Sequence, residues 1–188
     1  MNDPKNRLIV GISGASGVIY GVRLLEALKP LPVETHLVMT RTAEVTLAHE
    51  TDLKVAAVRA LADVAHNVDD LAASVSSGSF RTLGMIVAPC SMRSLGEIAA
   101  GISSNLLSRA ADVVLKERRK LVLLVRETPL HAIHLRNMAT LSEMGAIIAP
   151  PVPAFYNRPK TLDDVIDHTV GRVLDLFDLD TGKVKRWS

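Results

Sequence analysis

The chain has 188 residues, 48% of them hydrophobic, and a formal net charge of +2. That length allows one domain with a sizeable core, while the small charge and the lack of a basic tract interleaved with aromatics argue against nucleic acid. Cys90 stands alone, which excludes an intrachain disulfide and suits a reducing, cytoplasmic setting, and the charged start (Asp3, Lys5, Arg7) is neither a signal peptide nor a membrane span.

Residues 8–12 read as a first strand, running into the turn Gly11-Ile-Ser-Gly14-Ala-Ser-Gly17. An apolar helical period predicts a helix over 18–28, and Pro30 and Pro32 punctuate the link to a second strand at 33–39. Short helices are expected at 43–49 and 53–61, then a small, polar surface segment at 67–79. A third strand at 83–88 should stop at Pro89, with a helix over 91–100. Residues 106–116 predict a helix, 120–125 a strongly apolar fourth strand and 132–144 a helix ending at Gly145. A short fifth strand at 146–149 precedes Pro150-Pro151, and 162–177 forms a last amphipathic helix before a tail at 178–188.

This alternation predicts a single α/β domain with a doubly wound, mainly parallel sheet, a Rossmann/flavodoxin-like three-layer sandwich. The aliphatic richness, with only three Phe, two Tyr and one Trp, suits a parallel sheet covered on both faces. In such sheets ligands bind beyond the carboxyl ends of the strands.

The first loop is therefore a candidate anion site, because a helix start offers N–H groups and a positive dipole end. Its glycine spacing is not that of a dinucleotide fingerprint, and Thr40-Arg41-Thr42 stands where a ribose-binding acid is required. No Lys follows Gly17, which excludes a nucleotide-triphosphate loop. A monophosphate or flavin phosphate remains, held by the loop at Gly14, Ala15 and Ser16 with hydroxyls from Ser13, Ser16 and Thr40; a purely structural turn is the alternative.

Other strand ends add candidates. Ser91 is either a helix cap alone or a cap that also holds a polar part of a cofactor, with Met92 packed on its ring. Cys90 reads as a buried small hydrophobe. Arg126-Glu127 is either a structural ion pair or a phosphate clamp with a proton donor. Glu50 is a helix acid or a second carboxylate in the crevice, and Tyr156 sits in a loop rich in costly aromatics. Lys116 and Arg172 are the remaining cationic candidates, each by itself an ordinary surface charge. His131 and His134 lack a third ligand at recognisable spacing, so no metal is expected.

Taken together, several stretches resemble the flavin prenyltransferase family (UbiX/Pad-type), formerly described as aromatic-acid decarboxylases. They are Gly14-Ala-Ser-Gly17, Glu50-Thr-Asp52, Ser77-Gly-Ser-Phe80, Pro89-Cys-Ser91, residues 109–119, Arg126-Glu-Thr-Pro129, His134-Leu-Arg-Asn-Met138 and Pro153-Ala-Phe-Tyr156. The resemblance runs from about Arg7 to Leu176.

The resemblance implies FMN, reduced and acting as co-substrate, and dimethylallyl phosphate. It places Ser16 near the flavin, where it would assist proton handling, and assigns Thr40, Ser91 and Arg126 to the cofactor side. Lys116, Arg126, Glu127, Tyr156 and Arg172 would hold or protonate the prenyl phosphate, and Glu50 would lie near the reacting centre. Trp187 would close the site over a neighbouring subunit. The implied chemistry joins the dimethylallyl group to flavin N5 and C6 as phosphate leaves, with cations in place of a metal. The implied assembly is a symmetric homo-oligomer, often a dodecamer, whose product serves a UbiD-type decarboxylase. Two rivals stay open: an accessory subunit or direct decarboxylase of hydroxyaryl acids, and a non-catalytic FMN-binding or electron-transfer module.

Overall fold

In the computed structural model, which describes residues 6–182 and 184, the apolar runs form one six-stranded parallel sheet. The strands are β1 (Arg7–Ile12), β2 (Glu34–Met39), β3 (Val64–His66), β4 (Gly84–Cys90), β5 (Lys120–Val125) and β6 (Ile147–Ile148). Their order is β3-β2-β1-β4-β5-β6, so the winding reverses between β1 and β4.

Successive strand side chains point to opposite faces, and here both faces are apolar. Leu8, Val10, Ile12, Ile86, Ala88, Val122 and Leu124 join one core cluster. Ile9, Met85, Val87, Leu121, Leu123 and Val125 join the other. The first cluster is covered by α1 (Val18–Leu28), α2 (Arg41–Glu50), α3 (Val55–Arg59) and α7 (Leu162–Asp175). The second is covered by α4 (Met92–Ala99), α5 (Leu106–Lys116) and α6 (Ala132–Glu143). The result is the expected three-layer sandwich.

Close packing fixes α1 over the switch point. A Cβ at Gly21 would collide with the Ala88 carbonyl, so the helix lies directly on β4. Arg23 then ties α1 to α7 through Asp163 at 2.8 Å and Asp167 at 2.7 Å.

Two expectations need correction. The sheet has a sixth strand, β3, which precedes the segment read as irregular. It is short and carries little apolar signal, and side chains attach it to β2. The Asp63 carboxylate accepts from Thr35 N at 2.7 Å and Thr35 Oγ1 at 2.8 Å, and His66 Nε2 lies 2.9 Å from His36 Nδ1. Those Thr35 bonds, the backbone one foremost, hold the Asp63 carboxyl below its usual range. Second, Pro89 does not end β4. The ladder skips it through a register shift and resumes where Cys90 pairs with Val125.

The skipped proline is used elsewhere. Ser13, fully buried just past β1, donates from Oγ to the Pro89 carbonyl at 2.9 Å and accepts from Ser91 N at 2.8 Å. Its own N–H also donates to the Pro89 carbonyl at 3.2 Å. The hydroxyl thus joins the ends of β1 and β4 where the chain enters α4. Ser13→Ala leaves the part-buried Ser91 N–H without its acceptor, so it should cost about 1–3 kcal/mol of stability. Urea unfolding of the two proteins measures this, and a midpoint equal to the wild type would show that the bridge contributes nothing.

Candidate functional site

Three helix N-termini border one cavity at the carboxyl ends of the strands. Thr40 caps α2, accepting from Ala43 N at 3.1 Å. Ser91 caps α4, accepting from Ser94 N at 3.2 Å, and Asn105 caps α5, accepting from Leu107 N at 2.9 Å. All three caps line a cavity of about 320 Å³, together with Arg41 and Arg93. Each cap satisfies only part of its first turn, so the helix ends together favour a negatively charged ligand. Arg41 and Arg93 are held meanwhile by Asp69 at 2.6 Å and Glu97 at 2.9 Å.

The N-terminus of α1 behaves differently from the sequence expectation. The Glu50 carboxylate accepts from Gly17 N at 2.9 Å and Val18 N at 3.1 Å. An internal carboxylate therefore occupies the N–H groups expected to meet a ligand phosphate. Gly17, at φ 97°, adopts the left-handed conformation that glycine tolerates best. Gly14 is needed for a different reason. A Cβ there would collide with the Thr42 side chain, so its absence lets the loop pass against the start of α2.

The remaining predicted residues fall into two groups. Ala15, Ser16, Met92, Arg126 and Glu127 follow the carboxyl ends of β1, β4 and β5, on the same end of the sheet as Thr40, Ser91 and Glu50. Arg126 N donates to the Cys90 carbonyl at 3.1 Å, and among the described residues no carboxylate pairs with its exposed guanidinium. Glu127 Oε1 accepts from Thr128 N at 2.9 Å. Cys90 is fully buried, and burial pushes its thiol up to about 12, which suits packing rather than nucleophilic chemistry.

Lys116, Tyr156 and Arg172 are not gathered with these residues. Lys116 ends α5, just before β5 begins, and pairs with Glu117. It therefore lies at the opposite end of the sheet from Arg126. Tyr156 and Arg172 belong to the α7 face. The Tyr156 hydroxyl lies 3.1 Å from His168 Nε2, and Arg172 pairs with Asp175 at 2.7 Å. Trp187 lies outside the described residues. His131 Nδ1 accepts from Ile133 N at 3.2 Å and caps α6. Among the described residues, no group of three His, Cys, Asp or Glu side chains is placed to hold a metal. No helix among them is long and apolar enough to cross a membrane.

Sequence reasoning missed Asn105, Arg93 and Ser94 as cavity residues. Asn105 directly precedes an apolar helical run, and that capping pattern was the available signal.

This fold and site are those of a flavoprotein, and the Flavoprotein family model matches residues 1–174. The flavin prenyltransferase UbiX of Escherichia coli strain K12 is 63% identical over 172 residues, covering 91% of both chains. The crystal structure of AnUbiX in complex with FMN and dimethylallyl pyrophosphate superposes with a TM-score of 0.96, at 56% identity and 98% coverage of both chains. A dodecameric FMN-dependent UbiX-like decarboxylase from Escherichia coli O157:H7 gives a TM-score of 0.95 at 56% identity, covering 97% of this chain and 99% of that one. The chain belongs to the UbiX/Pad-type flavin prenyltransferase family.

His168 provides a pH-dependent mark of the α7 face. Burial lowers its pKa, Arg172 adds to the effect and Asp175 opposes it. The unfolded chain therefore binds this proton more tightly than the folded one. The stability supplied by the neutral ring is complete above about pH 6.5 and declines as pH falls toward the lower folded value. Melting temperatures from pH 7 to 5 should fall less steeply for His168→Phe than for the wild type; equal slopes would refute the assignment.

Proposed function

We propose that this chain joins the dimethylallyl group of dimethylallyl phosphate to N5 and C6 of reduced FMN, releasing phosphate and supplying prenylated FMN to a partner UbiD-type decarboxylase. The observation that carries the reading is the convergence of the Thr40, Ser91 and Asn105 caps on one cavity at the switch point. Its hydroxyl and amide donors, helix ends and two arginines fit the single phosphate of FMN. The lack of an acid at the end of β2 agrees, since FMN has no nucleotide ribose to hold. The relative with the same fold was crystallised with FMN and a prenyl pyrophosphate.

Reduced FMN, when bound, supplies the nucleophile. Thr40 and Ser91 hold its phosphate, Gly14, Ala15 and Ser16 form the adjoining wall, and Met92 packs against the ring. Arg126 presents a guanidinium unpaired among the described residues to both ligands. Glu127 delivers a proton to the departing phosphate. Glu50, oriented by the α1 N–H groups, is the carboxylate near the reacting centre. Lys116, Arg126 and Arg172 offset the charge that develops on the leaving group, and Tyr156 binds it. The lone cysteine supports a cytoplasmic location.

One chain does not supply all of these groups to one phosphate. Lys116 precedes β5 and Arg126 follows it, and six strand residues span about 20 Å. The site therefore takes Lys116, Tyr156 and Arg172 from neighbouring copies in a homo-oligomer, for which the dodecameric relative is the guide.

Anaerobic incubation with reduced FMN and dimethylallyl phosphate should yield a flavin heavier by one prenyl group, read by mass spectrometry. Glu127→Gln should abolish that product while leaving FMN affinity within about twofold of the wild type. Carbon dioxide released from a hydroxyaryl acid by the chain alone, with unchanged flavin, would support the decarboxylase reading instead.

Composite sites also predict complementation. Lys116→Ala and Glu127→Gln homo-oligomers should each be inactive, whereas oligomers assembled from both chains should regain part of the turnover. Mixed assemblies no more active than either parent would mean that the two residues do not serve one site from different chains.

A further inference from the structure

The stretch Ser77-Gly-Ser-Phe80 has no place in the reaction proposed above, yet it packs against one of its cations. Val75, in the 3₁₀ turn just before it, is buried, and Phe80 packs on the same core cluster. Between them Phe80 N donates to the Ser77 carbonyl at 3.2 Å, which closes a turn. Arg119 fastens that turn to the link between α5 and β5. Its guanidinium donates to the Phe80 carbonyl at 2.7 Å and to the Gly78 carbonyl at 2.6 Å.

The same guanidinium lies 4.0 Å from Glu117 Oε2, while Glu117 Oε1 accepts from Lys116 Nζ at 2.5 Å. The hydrogen bond from Lys116, foremost, holds the Glu117 carboxyl below its usual range, so it is ionised at neutral pH. Two cations thus share one carboxylate, and the cluster keeps a net positive charge. The Lys116 ammonium carries three N–H groups and Glu117 takes one, which leaves donors for an external anion.

Gly78 sits where this ion pair needs room. Its φ lies outside the left-handed region, so the backbone there does not require glycine. A Cβ at Gly78 would collide with Glu117 Oε1 and stand 2.8 Å from Lys116 Nζ. The atoms it would meet are the far ends of two flexible side chains. An added methyl group would therefore push the ion pair aside and leave the fold in place.

We propose that Gly78 is a positioning residue for Lys116: its missing side chain leaves the seat in which Glu117 holds the ammonium toward the prenyl phosphate of a neighbouring copy, and Arg119 ties that seat to the end of α5. The inference rests on the proposed prenyl transfer and extends it by a residue that touches neither substrate nor cofactor.

Affinity for dimethylallyl phosphate tests it, measured by titration calorimetry on the oligomer loaded with oxidised FMN, which does not turn over. Gly78→Ala should weaken that affinity roughly 10-fold, while FMN affinity and melting temperature stay at wild-type values. In a Lys116→Ala background, Gly78→Ala should add less than about twofold, because the group it displaces is gone. If Gly78→Ala does not fold, as judged by thermal melting, Arg119→Lys replaces it, since lysine lacks the fork that spans both carbonyls. Wild-type affinity in the variant, or an undiminished loss in the Lys116→Ala background, overturns the inference, while prenylated flavin from the wild type leaves the functional reading intact. A wild type that neither binds dimethylallyl phosphate nor changes the flavin mass overturns both.

Discussion

The hydroxyl of Ser13 is the constraint on which the site depends. At the switch point the chain leaves β1 toward one face of the sheet and β4 toward the other, and the pairing of the two strands ends at Gly11 and Val87. Pro89 has no N–H to give, and the strand register shifts around it. Ser13 joins the exits beyond that point, donating from both N and Oγ to the Pro89 carbonyl and accepting at Oγ from Ser91 N. Because Ser91 is also the cap of α4, the same bridge sets where that helix points its N-terminus. A displaced α4 would open the cavity that Thr40, Ser91 and Asn105 share.

The helix starts are divided by charge. Glu50 gives α1 a carboxylate of its own, and α2, α4 and α5 are capped only by neutral side chains. A helix end leaves N–H groups without intrahelical partners, and an internal acid supplies partners to α1 with a favourable dipole interaction. The other three keep their positive ends for an external anion. Under the proposed function, where a phosphate settles would be set by one glutamate at the end of α2, reaching a loop 33 positions earlier.

That pairing shows what the sequence could and could not reveal. The helices over 18–28 and 106–116 and the strand over 120–125 were legible to the residue, because their apolar periods are unbroken. Ser91 was legible as a cap and Thr40 as a hydroxyl at a strand end, both placed directly after strands. β3 was not, because three half-exposed residues carry no period, and what holds them is a Thr35–Asp63 contact that pattern cannot express. The glycine loop was correctly read as a helix entry, but Glu50 lies too far along the chain for spacing to reveal that it fills that entry. Lys116 was singled out through family resemblance, and within one chain its place is at the wrong end of the sheet to meet Arg126.

That misplacement and the surface of the chain point the same way. Ile133 and Leu135 on α6, Val152 and Phe155 in the following loop, and Leu162 at the start of α7 are all more than half exposed, Phe155 by 75%. Single exposed apolar residues are ordinary, but these come from one continuous stretch of chain that also carries Tyr156. Covering them in water-free contact would favour association by about 25 cal/mol for each Å² buried. A neighbour seated there would bring its own charged groups to the rim, next to Tyr156. Under the proposed function the hydrophobic surface and the scattered cations are one arrangement: apolar contact would hold the copies together, and the contact would supply the charges that one chain places apart.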